Sequence, residues 1–280
     1  MPVLHERPRD LDAALSLLAE GGWTMVSGGT DHHPALGDGP PPPRTLDLTA
    51  IEALRGIERG PTGWRIGARA TWLDVIRADL PPAFAALVQA AREVGSVQIQ
   101  SRASLAGNLC TASPAADGMP PLLALDASVE LASARGRRVL PLARFVTGYR
   151  ETALRPGEMV TAILIPEAAG RGASAFAKLG ARRYLVISIA MAAARLAVED
   201  GRIARAAVAV GACSPVACRL PGLEAALVGL RAREAAEAAR AADLSALSPI
   251  DDVRAPAAYR REAAGRLVVE AVRGALGTGP

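Results

Sequence analysis

The segment "VSGGTDHHPAL", Val26 to Leu36, places two glycines, a threonine, an aspartate and two histidines directly after the apolar run Met25-Val26. Glycine reaches left-handed φ and tolerates close approach, so backbone N–H groups around it can close on an anion. Gly28 and Gly29 after a strand therefore suit a phosphate, and they suit a plain tight turn as well. The pattern is neither G-x-G-x-x-G nor the G-K-[ST] loop of a P-loop. A metal at Asp31, His32 and His33 is disfavoured: adjacent side chains point apart, helical ligand pairs sit at i,i+4, and the remaining histidine is the distant His5.

A second segment, "VQIQSRASLAGNLCTASPAAD" from Val97 to Asp117, gathers Ser104, Ala106, Gly107, Thr111, Ala112 and Ser113 around Asn108 and Asp117. A loop of such small residues can lie against a flat or extended ligand and offer hydroxyl, amide and carboxylate partners. The same Asn and Asp can equally satisfy their own turns. Lys178 is the only lysine of the chain. It is either an accident of composition or a compact ammonium aimed at a bound anion or ring carbonyl. With no G-x-S-x-G elbow and little choice of histidine base, a nucleophilic triad is excluded.

The elements that must position these residues follow from periodicity. Apolar positions at helical spacing over residues 10–20 predict a helix capped by Asp10 and ended by Gly21-Gly22. "WTMVS" and "RTLDLT" read as strands on either side of a loop at Pro40 to Pro43, a β-α-β-like opening over residues 1–55. "GWRIGARAT" alternates as a strand, Thr71 caps a helix to Arg77 with Asp74 in its first turn, and Pro82 to Val94 is a second helix. "VELAS", "RVLPL" and "MVTAILI" are successive strands. Two long strands then flank Asp200-Gly201, a dipeptide that favours a type I′ hairpin. Alanine-rich helices fill Leu223 to Ala242, and a last helix covers Ala257 to Leu276. The expected division is residues 1–55, 56–170 and 171–280.

Composition narrows the function classes. A chain of 280 residues accommodates more than one domain. Its net charge of +4 comes from arginines scattered among nearly as many acids, with three each of Phe, Trp and Tyr. That argues against a nucleic-acid surface, although a few arginines remain available to an anionic cofactor. Cys110, Cys213 and Cys218 are too few for the four thiolates of an iron–sulfur cluster, so any such cluster belongs to another chain. No apolar stretch approaches the roughly 20 residues of a membrane span, and the longest runs from Tyr184 to Ala194. The start "MPVLHERPRD" is polar and charged, unlike a secretory leader, and the expected location is the cytoplasm.

Taken together, the segments resemble the FAD-binding medium subunits of molybdenum hydroxylases, among them the flavin subunits of bacterial xanthine dehydrogenases and carbon monoxide dehydrogenases. "VSGGTDHHPAL" is similar to the family's first flavin motif, small-Gly-Gly-Thr-Asp-Leu-Leu-Pro. "QIQSRASLAGNLCTASPAADGMPPLLALDASVEL" is similar to the second, which usually runs through Gly-Gly-Asn to Ala-Ser-Pro-Ala-Ala-Asp. "FAKLGARR", "SIAMAAARL" and "DDVRAPAAYRREAAGRLVVEAV" resemble the entry and final helix of its C-terminal domain. The departures are His32 and His33 for leucines, Ala106 in place of a glycine, and Ser188-Ile189-Ala190 where many relatives have Asp plus an apolar residue.

The resemblance implies an α+β chain: a two-subdomain FAD-binding fold of the vanillyl-alcohol-oxidase-like (PCMH) type, followed by a C-terminal domain of antiparallel sheet and helices. It implies a diphosphate cradle at Ser27, Gly28, Gly29, Thr30 and Asp31, flanked by Met25, Val26 and His32. Ser104, Ala106, Gly107 and Asn108 would line the second side, Thr111 and Asp117 would bond the ribityl or adenosine end, and Lys178 would stand near the flavin. The chain would carry FAD and pass electrons from the [2Fe–2S] clusters of a small subunit to NAD⁺ or another acceptor. The molybdenum–pterin centre would belong to a large subunit, in a dimer of heterotrimers of xanthine dehydrogenase-like or carbon monoxide dehydrogenase-like type. The rivals are a flavin-free scaffold subunit and a stand-alone flavin oxidoreductase.

Overall fold

The computed structural model describes residues 3–183 and 185–278. The first two residues of the start read for a leader, and Tyr184 at the head of the longest apolar run, lie outside the described residues. Among those described, no helix is long and apolar enough to cross a membrane.

The chain opens with a three-stranded parallel sheet in which Arg44–Asp47 lies between Leu4–Glu6 and Thr24–Val26. The helix Leu11–Glu20 connects the outer strands. Asp10 caps it by accepting the Ala13 N–H at 2.8 Å, and Gly21 at φ +79° ends it. Its buried face, Ala14, Leu15 and Leu18, packs on Leu46, Leu48, Ile51 and Leu54, and also on Ala132 and Met159 of the next sheet. The opening unit is thereby fixed against its neighbour by shared apolar burial.

The second sheet is antiparallel, in the order Ile57–Gly60, Gly63–Gly67, Met159–Pro166, Ser128–Ser133, Gly136–Pro141. Its last strand in sequence is central in space. Thr71 and Asp74 form a reciprocal capping box at the start of the helix Trp72–Arg77. The stretch expected as one helix from Pro82 is a 3₁₀ turn, Pro82–Phe84, that runs on into the helix Ala85–Glu93. Residues 95–117, expected as a loop, contain two short helices, Val97–Gln100 and Leu105–Thr111. The second forms despite its Gly, Asn and Thr because Ser104 caps it and Leu105 and Leu109 are buried in the core.

The third sheet is antiparallel too, ordered Ala173–Leu179, Ala190–Glu199, Arg202–Gly211, Cys218–Arg219. Asp200 and Gly201 both have positive φ, +51° and +73°, as a type I′ turn requires. The strand Ala190–Glu199 is buried from residue 190 to 197, with Arg195 its one charged residue there, because both of its faces are covered. Ala192, Ala194 and Leu196 join the cluster under the final helix Ala257–Ala275, while Ala193 meets Ala86 and Ala124 of the preceding domain. Alanine on both surfaces lets sheet and helices approach closely. The expected alanine-rich helical region is two helices, Pro221–Leu227 and Ala232–Arg240, with Gly229 at φ +85° between them.

Polar contacts weld the second and third sheets' domains. Ser174 accepts the Ala86 N–H at 2.8 Å and donates to the Ala83 carbonyl at 2.7 Å, fully inside the contact. Asp126 receives Arg195 at 2.8 Å and Arg219 at 2.7 Å.

Candidate functional site

At the end of the strand Thr24–Val26 the chain passes so close to the second segment that only glycine fits. A Cβ on Gly28 would lie 1.9 Å from the Arg102 carbonyl oxygen. Gly29 has φ +71°, and the His33 ring occupies the space where its Cβ would be. The Gly29 and Asp31 carbonyls turn into the short helix His32–Leu36, accepting from His33 N–H at 3.0 Å and Ala35 N–H at 3.1 Å. The N–H groups of Gly28, Gly29, Thr30 and Asp31 make no hydrogen bond among the described residues. Successive outward N–H groups of this kind form an anion-binding concavity.

The facing wall is the helix Leu105–Thr111. Its entry is fixed by pairing with the distant start of the helix Trp72–Arg77: Trp72 N–H donates to the Ala103 carbonyl at 3.1 Å and Leu105 N–H to the Ala70 carbonyl at 2.9 Å. Ser104 Oγ accepts the Gly107 N–H at 3.1 Å, and Asn108 Oδ1 accepts the Gly118 N–H at 3.2 Å. Ser104, Gly107, Asn108 and Thr111 follow i, i+3, i+4, i+7 spacing, so they share one helix face. That face lines a cavity of about 830 Å³ whose other wall is Met25 through His32.

Twelve of the fifteen residues singled out in the sequence line this cavity. Ala106 does not: it lies on the opposite helix face, buried in the core at 4% exposure. It has helical backbone without positive φ, so alanine substitutes for the family's glycine without strain. Asp117 and Lys178 do not line the cavity either. Lys178 Nζ donates to Asp117 Oδ2 at 2.8 Å, and Ser188 Oγ donates to Asp117 Oδ1 at 2.7 Å. The Lys178 and Asp117 side chains are only 5% and 11% exposed. Burial pushes the Asp117 carboxyl up from its ordinary range, and Lys178 and Ser188 offset that in part.

Four lining residues outside the two segments carry no site signal in the sequence: Trp72, Val94, Arg150 and Ile187. Arg150 Nη1 donates to Asp31 Oδ2 at 3.2 Å, and Thr111 Oγ1 lies 3.5 Å from the same oxygen. The carboxylate of the glycine loop is thus tied to both facing elements. The arrangement is a long cleft with backbone donors on one wall, side-chain hydroxyl and amide groups on the other, and apolar surface between them. It fits an extended ligand with a diphosphate in its middle, as FAD is. Among the described residues no group of His, Cys, Asp and Glu could hold a metal ion.

The chain is similar to known proteins along most of its length. Residues 3–168 match the family described as the FAD binding domain in molybdopterin dehydrogenase, and residues 174–275 match the CO dehydrogenase flavoprotein C-terminal domain. The nicotinate dehydrogenase FAD-subunit of Eubacterium barkeri is 33% identical over 198 residues, covering 68% of this chain and 66% of that protein. The carbon monoxide dehydrogenase medium chain of Hydrogenophaga pseudoflava is 26% identical over 276 residues, 97% of this chain and 96% of that one. A solved chain of reconstituted CO dehydrogenase from Oligotropha carboxidovorans superposes with a TM-score of 0.90 at 27% identity, covering 100% of both chains. The protein therefore belongs to the FAD-binding family of the molybdopterin dehydrogenases and is a medium, FAD-binding subunit of an oxidoreductase of the xanthine and CO dehydrogenase type.

Proposed function

We propose that this chain is the electron-exit subunit of a three-subunit molybdenum hydroxylase in the cytoplasm. Electrons taken from substrate at a molybdenum–pterin centre on a large subunit would pass through [2Fe–2S] clusters on a small subunit and leave to NAD⁺ or another acceptor. The assembly would be a dimer of heterotrimers. Bound FAD supplies the redox chemistry, taking electrons singly and giving them up in pairs.

The residues of this chain bind and orient. The N–H groups of Gly28, Gly29, Thr30 and Asp31 hold the diphosphate, with Ser27 and the Thr30 hydroxyl beside them and Met25, Val26 and His32 on the flanks. Ser104 already accepts from Gly107 and so offers its proton to the ligand. Asn108 has its oxygen engaged by Gly118, which leaves its amide nitrogen to donate. Gly107 and Thr111 complete the wall. Asp117 and Lys178, paired with each other and Ser188, serve from behind by tying the end of the second segment to the C-terminal sheet.

The observation that carries this reading is the convergence of unpaired loop N–H groups and one polar helix face on a single cleft. The test is the visible absorbance of the purified chain, followed by acid release and identification of its nucleotide. Flavin bands with released FAD are expected. A chain that stays colourless with added FAD, even beside its partner subunits, would be a scaffold instead.

A further inference from the structure

The proposed cradle contains an obstacle to its own ligand. Asp31 follows Thr30 directly, and its carboxylate repels a diphosphate. Among the described residues lining the cleft, Arg150 is the one permanent cation. It comes from the turn between the strands Val146–Gly148 and Glu151–Thr152, more than a hundred residues beyond Asp31.

The backbone holds Arg150 in an unusual way. It is a non-glycine residue at φ +54°, and its N–H donates at 2.9 Å to the carbonyl of Ala112, itself at φ +48°. Ala112 is the C-cap of the helix whose polar face lines the cleft. Non-glycine residues in left-handed conformation are disfavoured and persist where surrounding structure over-determines them, a situation concentrated at functional sites. Here two such residues bond to each other and fix the base of one arginine at the cleft wall.

The head of the side chain is differently placed. Arg150 and Asp31 side chains are each 50% exposed. An ion pair this open contributes little to folding, so stability alone gives no reason for the geometry. A guanidinium carries five N–H donors, and the bond to Asp31 uses only one of them. Asp31 and then Tyr149 hold the guanidinium above its ordinary range, so its charge is permanent.

We propose that Arg150 is the residue that makes the cleft accept a dianion: it neutralises Asp31 within the glycine loop and turns the N–H groups left over by Asp31 and Tyr149 to the FAD diphosphate. This rests on the cradle reading above. Arginine suits the role because its planar fork can serve a carboxylate and a phosphate oxygen at once.

The experiment is titration of the deflavinated full-length chain with FAD, followed by flavin fluorescence at low and high salt, with thermal unfolding of each variant as a control. Arg150→Met is expected to unfold like the wild type yet bind FAD about tenfold or more weakly, the loss expected for one charge-assisted hydrogen bond. Its binding should respond less to salt than wild-type binding, and Arg150→Lys should recover part of the loss. Asp31→Asn separates the two halves of the proposal. In that background Arg150→Met should still weaken FAD, by less than in the wild type. A loss that vanishes there would limit Arg150 to neutralising Asp31 and overturn the direct contact. Wild-type affinity in Arg150→Met would overturn the proposal and leave the cradle standing. A wild-type chain that binds no FAD would remove the cradle reading itself.

Discussion

Two clusters of polar residues from the same sequence motifs have opposite fates in the fold. In the cleft, the Gly28–Asp31 N–H groups and the face made by Ser104, Gly107, Asn108 and Thr111 surround open space, and Asp31 is half exposed. Behind it, Asp117, Lys178 and Ser188 satisfy one another with almost no exposure. The first set has hydrogen-bonding capacity left for a ligand, and the second has spent its capacity on the protein. A motif identifies residues that belong together; burial and partners decide which of them bind and which of them hold.

The largest expected effect breaks the buried cluster. Lys178→Met leaves Asp117 without its charge partner, and removing one member of a buried pair costs about 3–5 kcal/mol. The sign of its pH dependence follows from the raised Asp117 carboxyl. A carboxyl whose pKa is higher folded than unfolded binds its proton more tightly in the native state, so stability rises as pH falls. Without Lys178 that pKa climbs further. Urea denaturation should show the penalty greatest near neutrality, shrinking as the pH falls through the raised Asp117 pKa. Adding Asp117→Asn should recover most of the loss at neutral pH.

Next comes the cleft. Gly28→Val drives a side chain into the Arg102 carbonyl and pushes the two walls apart. Overpacking of about 1–3 kcal/mol concentrated at the cradle should lower FAD affinity by up to about a hundredfold. Unchanged affinity in a FAD titration would mean that the close approach has no part in binding. Arg150→Met is expected to have a smaller effect, about tenfold.

The smallest effect sharpens the contrast. Ala106→Gly restores the family's usual Gly-Gly-Asn, but residue 106 faces the core. Thermal unfolding should show a loss of about 0.5–1 kcal/mol from the helix, with no gain in FAD affinity.

Local chemistry made much of this fold legible. Asp10, the Thr71–Asp74 box and Asp200-Gly201 declare helix starts and a hairpin within a few residues, and each is where its sequence predicts. What local chemistry cannot declare is pairing across the chain. Leu4–Glu6 is three exposed residues whose strand exists only because Arg44–Asp47 lies beside it. The central place of Met159–Pro166 is likewise set by distant neighbours. Poor helix formers hide the helix Leu105–Thr111 in the sequence, and with it the i, i+3, i+4, i+7 face that separates the lining residues from the buried Ala106. Arg150 was one arginine in a chain whose 32 basic residues include a single lysine. Nothing in its neighbourhood in sequence points to Asp31.

Amide hydrogen exchange of the full chain, with and without saturating FAD, tests the central claim most directly. Amides without partners exchange quickly, and those that donate to a bound ligand are protected. The account predicts fast exchange at Gly28, Gly29, Thr30 and Asp31 in the apo chain and marked protection with FAD, while amides around Asp117 and Lys178 stay protected in both. Bound flavin with no change at residues 28–31 would show that the diphosphate is held elsewhere.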